Sequence, residues 1–414
     1  MKQIDFLKYS ASENMNKLRA AFNRGQNIEK VAPLEISIKC ALKDIEYLQF
    51  IIEHGYSGYS YFDKNNFNRA FEDILLELST YHNELISTKS FIDIISKHFA
   101  FLIDGHLSIA CNGYGKGFYK KFNTYIADIV VQESDNGYIN VDTQQIINIS
   151  DTSIRLFKTI SETDKSRFLI GKRCYDELST IDVWVDGKKV RLPVHKIKSN
   201  DTNDNILLEV KFDDNIAYVK SSSFVGDNKD DLKKFFEIGK QCRNYLDVIW
   251  DLSNNLGGNS EFAKEFIKGL NGNCKSGTKT YQLQSSLVHA KETGYIIDIP
   301  YVKQLLECEN NQEENAFRGR LHVIINNYVA SSGENAVLMA KQLNRTKFYG
   351  CNTLGIGHFG DLFVYYLPYS QITVWCPNKV FESCILETVG YEPDYWIDSE
   401  DTLSEVMKFI KQTK

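Results

Sequence analysis

From residue 206 onward, this 414-residue chain alternates apolar runs of strand length with amphipathic segments of helical length. "NIAYVKSSSF" (215–224), "YLDVIWDL" (245–252) and "LHVIINN" (321–327) read as buried strands, and "EFAKEFIKGL" (261–270) and "GENAVLMAKQL" (333–343) as helices. Strands separated by helices need crossover connections, so this order predicts parallel pairing. "VYYLPYSQITVWCP" (364–377) is strand-rich, and "TLSEVMKFIKQ" (402–412) closes the chain as an amphipathic helix.

Upstream the pattern changes twice. Residues 35–104 read as helical: Phe67, Phe71, Ile74, Leu75 and Leu78 recur at helical spacing, as do Phe91, Ile94, Ile95, Phe99 and Leu102. Ser90 followed by Asp93 marks the start of the second of these helices, and Asp104-Gly105 marks its end. Then "TYIADIVV" (124–131), "GYINVDT" (137–143) and "IDVWVDGKKVRLPVHKI" (181–197) are strand-like, with Asp186-Gly187 as a hairpin turn. The polar run "KSNDTNDN" (198–205) suits a linker. The expected division is a helical segment over 1–110, a small β-rich domain over 111–205 and an α/β core over 206–414.

Bulk properties exclude several classes of function. A net charge of −6 with 25% charged residues offers no basic surface for nucleic acid or anionic lipid. No run approaches the roughly 18–20 apolar residues needed to span a bilayer, and "MKQIDFLKYSASENMNKLRAAFN" lacks the apolar stretch of a signal peptide. Nine cysteines without C-x-x-C spacing fit reduced thiols in a cytoplasm and give no metal site. "CNGYGKGF" (111–118) lacks the spacing of a dinucleotide loop, and no cofactor is expected. The aromatic residues, 13% of the chain, are expected in the core and in cleft walls.

Four short stretches carry groups that could do chemistry. In "VASSGE" (329–334), Ser331 and Glu334 have the S-x-x-E spacing of a capping box. A serine on a strand-to-helix turn also sits where helix-start N–H groups can stabilise an oxyanion, so both readings stand at this point. "DLSNNLGGNS" (251–260) follows a buried strand. Gly257 and Gly258 either supply positive φ for a plain turn or let backbone approach a substrate carbonyl. "DGHLS" (104–108) places His106 at a helix-to-strand turn, and "LETVGYEPDYWID" (386–398) contains Glu387 ahead of a Pro393-Asp394 turn.

Taken in this order, the four stretches resemble the serine peptidase family of C-terminal processing (tail-specific) proteases, which includes the tricorn protease core. The family's D-x-R-x-N-x-G-G turn is matched by Asp251, Asn255, Gly257 and Gly258, with Ser253 in place of the arginine. Its T-A-S-A-G-E-like stretch aligns with "VASSGE" and assigns the nucleophile to Ser331. Gly350, Thr353 and Gly355 match its threonine turn, and Glu387, Gly390, Pro393 and Asp394 match its closing motif. The processing branch takes its base from the lysine of a G-K-G triplet, which here reads Gly355-Ile356-Gly357, and isoleucine accepts no proton. The tricorn-like branch uses a histidine and a glutamate, which points to His106 and Glu387. The serine that accompanies that histidine is Gly105 here, which leaves orientation of the ring to Ser108, Asp104 or water.

The resemblance thus implies a mixed α/β fold, a ClpP/crotonase-like spiral of β-β-α units, preceded by the helical segment and the β-rich domain. It implies a cytoplasmic serine peptidase acting on peptides or unfolded protein segments, with Ser331, His106 and Glu387 as catalytic groups. The backbone N–H groups of Ser332 and of Gly257 or Gly258 would form the oxyanion hole. His358, two residues beyond the lost lysine position, is the alternative base, or else an exposed loop residue. The edge of "NIAYVKSSSF" or the serine motif is expected to hold substrate backbone by β-addition. The rivals are an inactive peptide- or ligand-binding protein on the same scaffold and, less well matched, a crotonase-type acyl enzyme. Oligomeric state stays open, a homo-oligomer included.

Overall fold

The computed structural model describes residues 32–81, 84–135, 137–161, 163, 165–199, 205–213, 215–226, 228–274, 279–282, 302–305, 317–382, 385 and 387–412. The amino-terminal stretch without a signal-peptide pattern and most of the polar run 198–205 lie outside them. The chain is a mixed α/β protein that separates into two units. The first takes residues 1–119, 278–306 and 358–387, and the second takes 120–277, 307–357 and 388–414.

In the first unit, helices Ile38–Gly55, Lys64–Ser79 and Thr88–His98 pack on one apolar core with strand Asp104–Cys111 and the hairpin Phe359–Tyr366 and Thr373–Glu382. Phe67, Phe71, Ile74 and Leu78 are buried as their spacing predicts, whereas Leu75 is exposed. The third helix begins earlier than expected. Ser87, not Ser90, caps it, its hydroxyl accepting the Ser90 N–H at 3.0 Å. The helix also ends at His98, six residues before Asp104, which instead opens a strand with its carboxyl fully buried. Strand Asp104–Cys111 pairs with Thr373–Glu382 and with Tyr114–Phe118.

The second unit holds two sheets. Over residues 123–196 the strands are antiparallel. The Asp186-Gly187 turn, with φ of 48° and 78°, joins Thr180–Val185 to Lys188–Lys196 as expected. Pairing of Lys188–Lys196 back onto Asn123–Ser134 closes five strands into a ring around Val131, Ile147, Ile170, Ile181 and Val183. The other sheet is the expected parallel one. Ile216–Lys220, Asp247–Asp251, Arg320–Ile325, Thr346–Gly350 and Tyr395–Trp396 lie side by side, with Glu209–Asp213 antiparallel at one margin. Alternate side chains point to opposite faces. Val248 and Trp250 pack with helices Lys229–Cys242, Glu261–Asn271 and Ser332–Ala340, and Ile249 and Ile324 with helix Thr402–Gln412. Strand Ile216–Lys220 therefore has a partner on each side and is no open edge, so β-addition there is ruled out. None of the described helices is long and apolar enough to cross a membrane.

Candidate active site

Two loops leave the carboxyl ends of adjacent parallel strands, the position where open α/β sheets bind ligands. One follows Asp251 and carries Gly257 and Gly258; the other follows Ile325 and carries Ser331 into its helix. The loops are stitched together. Asn255, fully buried, donates its amide to the Ser221 carbonyl at 2.7 Å, and its backbone carbonyl accepts the Ala330 N–H at 2.9 Å. Asn254 and Asn326 exchange bonds in both directions, at 2.8 and 3.0 Å.

Ser331 has φ 52° and ψ −118°, a conformation L-residues avoid, and its side chain makes no cap bond to its helix. The capping box is therefore only half formed. Glu334 does reach back to the Ser331 N–H, but the serine hydroxyl does not cap. Ser332 acts differently, donating its buried hydroxyl to the Gly258 carbonyl at 2.6 Å. One serine fastens the loop, and the other is held by its backbone in a strained strand-to-helix turn.

Glu334 is the clamp behind this turn. Its fully buried carboxyl accepts the Thr353 hydroxyl at 2.5 Å and the N–H groups of Gly355 and Ile356 at 2.9 Å each. Burial raises it from an ordinary 4.5 to about 7, against the lowering effect of those donors. Ile356, at the lost lysine position, thus contributes a backbone N–H to the clamp.

Of the expected oxyanion donors, Gly257 is already engaged: its N–H goes to Asn255 Oδ1 at 2.9 Å. No acceptor among the described residues takes the N–H of Gly258 or of Ser332. Gly258 is fixed as glycine twice over. Its φ is 125°, and a Cβ would stand 2.2 Å from the Phe224 carbonyl oxygen. Gly258→Ala is expected to cost at least about 2 kcal/mol, read as a lower urea midpoint at unchanged slope.

In the first unit, Asp104 accepts the His106 N–H at 2.7 Å, the Leu107 N–H at 3.0 Å and the Tyr56 hydroxyl at 2.8 Å. Burial raises the Asp104 carboxyl to about 6 and lowers the His106 ring to about 4, which keeps the imidazole neutral at physiological pH. Glu387 accepts the N–H of Gly105 at 2.7 Å and of His358 at 3.2 Å, so one carboxylate braces the residue before the first candidate base and the second candidate itself. His358 is not an exposed loop residue. It is half-buried, its ring packed edge-on against Tyr61 and Phe359 with centroids 4.9 Å apart in each case, and burial lowers its pKa. Ser108 stands in the strand, opposite Gly117 and Trp375. Tyr56 gives no signal in the sequence: it lies 48 residues from Asp104, on an apolar helix end.

Residues 215–371 match the model of peptidase family S41. The crystal structure of mature CPAF superposes with a TM-score of 0.52 at 13% identity, over 91% of this chain and 97% of that one. A CPAF mutant gives 0.50 at 12% identity over the same shares. The photosystem II D1 C-terminal processing protease gives 0.41 at 13% identity, over 87% and 93%. No curated protein matches the chain. Both loops of the candidate site, with Gly257, Gly258 and Ser331, fall within the segment that is similar to peptidase family S41.

Proposed function

We propose that the protein hydrolyses peptide bonds through an acyl-enzyme, with Ser331 as nucleophile, His106 as general base and acid, and Glu387 as the group that orients the histidine segment. The Ser331 oxygen attacks the scissile carbonyl carbon while its proton passes to His106. The oxyanion takes the N–H groups of Ser332 and Gly258, each worth on the order of 10²–10³-fold in rate. The C–N bond then breaks as His106 returns the proton to the leaving amine. Water, deprotonated in turn by His106, releases the acyl group. Gly257 drops out of the hole because Asn255 holds its N–H.

The observation that carries this reading is the backbone of Ser331: a non-glycine residue at positive φ, opening a helix it does not cap, beside two N–H groups left to a ligand. Ile356 supports a histidine rather than a lysine base. The reading includes a ClpP/crotonase-like β-β-α spiral for residues 206–414 and a cleft-shaping role for 111–205. It includes a cytoplasmic setting, supported by the seven described cysteines being free thiols. The test is a fluorophosphonate probe. Labelling that vanishes in Ser331→Ala supports the enzyme, and folded protein that takes no label favours the peptide-binding alternative.

A pH profile tests whether the base is buried. With His106 lowered to about 4, the acid limb of kcat/KM is expected between pH 4 and 5, below the ordinary histidine value of about 6.5. A limb near 6.5 would count against a buried base.

A further inference from the structure

The proposed reaction leaves open what flanks the bond that is cut, and the second unit carries a feature that bears on it. Its two most exposed large apolar side chains among the described residues are Val225, 77% exposed, and Leu256, 66% exposed. Leu256 lies on the loop that follows Asp251, and Val225 on the segment that pairs with that loop through Phe224. Leu256 directly precedes Gly257, whose Cβ position is 2.9 Å from the Ser331 Cβ. Val225 follows Phe224, which donates its N–H to the Gly257 carbonyl at 3.0 Å and accepts the Asn259 N–H at 2.8 Å. The Val225 nitrogen in turn stands 2.9 Å from the Cβ position of Gly258. The two aliphatic groups are thus borne by paired backbone segments on either side of the Gly257-Gly258 turn.

The geometry points to Val225 and Leu256 as specificity-determining residues, an aliphatic shelf for an apolar side chain of the peptide next to the scissile carbonyl. This rests on the peptidase reading, in which the substrate peptide lies against Ser331 and so beside the Gly257-Gly258 turn that these two residues adjoin. Aliphatic surface gains about 25 cal/mol per Å² when an apolar partner covers it. An acidic side chain in the same place would lose water and find no donor on either residue. Differences of this kind discriminate between substrates by roughly 10–200-fold.

The experiment digests a random peptide library and reads by mass spectrometry which side chains flank each cut. It uses wild type, the double variant Val225→Ser/Leu256→Ser, and Leu256→Lys, each also tested with the fluorophosphonate. Wild type is expected to favour Leu, Val and Phe over Asp and Glu beside the cut by about tenfold or more. The double serine variant should lose most of that preference, and Leu256→Lys should raise the share of acidic side chains, a gain that misfolding cannot produce. Wild type that labels but cuts without apolar preference, or equal preference in all three proteins, overturns the shelf and leaves the peptidase reading standing. Wild type that neither labels nor cuts overturns both.

Discussion

Ser331→Ala is expected to lower kcat by about 10⁵–10⁶-fold, the scale seen when a serine hydrolase loses its nucleophile. Removal of the hydroxyl should leave the fold in place, since the Ser331 side chain makes no cap bond and the loop is tied by its neighbours Ser332, Asn255 and Glu334. His106→Ala should cost nearly as much, because a serine without its base is an ordinary alcohol. The decisive measurement is the double variant. If the two groups act in one step, Ser331→Ala/His106→Ala is no slower than either single variant, and only oxyanion-hole catalysis remains. Additive losses would mean that they serve different steps, and the assignment of the base would fall. The matching control is Ser332→Ala. It deletes the bond to the Gly258 carbonyl and is expected to act through loop order and stability, with labelling at Ser331 retained.

The second large effect is at Glu334. Replacement by alanine strands three N–H groups and the Thr353 hydroxyl without an acceptor in a buried place, at an expected cost of about 3–5 kcal/mol. The carboxyl also sets a pH dependence. With its pKa raised from 4.5 to about 7 in the folded protein, the folded state holds the proton more tightly than the unfolded chain does. Its contribution is therefore fully present below pH 4.5, declines as the pH rises and is gone above about 7, an amplitude of about 3 kcal/mol. Glu334→Gln removes this titration. Urea midpoints of wild type should fall relative to the glutamine variant between pH 4.5 and 7, and parallel curves would refute the buried, protonated acid.

Which of these features can be read from the residues depends on how local their causes are. The Asp186-Gly187 turn and the all-buried strand Asp247–Asp251 follow from neighbours in sequence, so turn chemistry and apolar runs disclose them. The start of helix Thr88–His98 is ambiguous in sequence because Ser87 and Ser90 are both competent caps, and only the three-dimensional hydrogen bond chooses between them. Glu334 shows the limit most clearly. An S-x-x-E spacing is the same whether the glutamate caps a helix or anchors a turn 21 and 22 residues downstream, since both are bonds to backbone N–H groups. That strand Ile216–Lys220 leaves no open edge is not legible, because Glu209–Asp213, "EVKFD", is too polar to announce itself as its partner. The ties from Tyr56 to Asp104 and from Glu387 to Gly105 span 48 and 282 residues and leave no periodic trace.

In the proposed mechanism, the twisted backbone at Ser331 makes reactivity a borrowed property. Left to itself, that residue would swing to an extended conformation and turn its oxygen onto the amides of its own helix, as serines opening helices ordinarily do. Asn255, Thr353 and Glu334 forbid the swing. A lineage that lost those three would surrender loop stability and, in the proposed mechanism, the reactivity of the serine together.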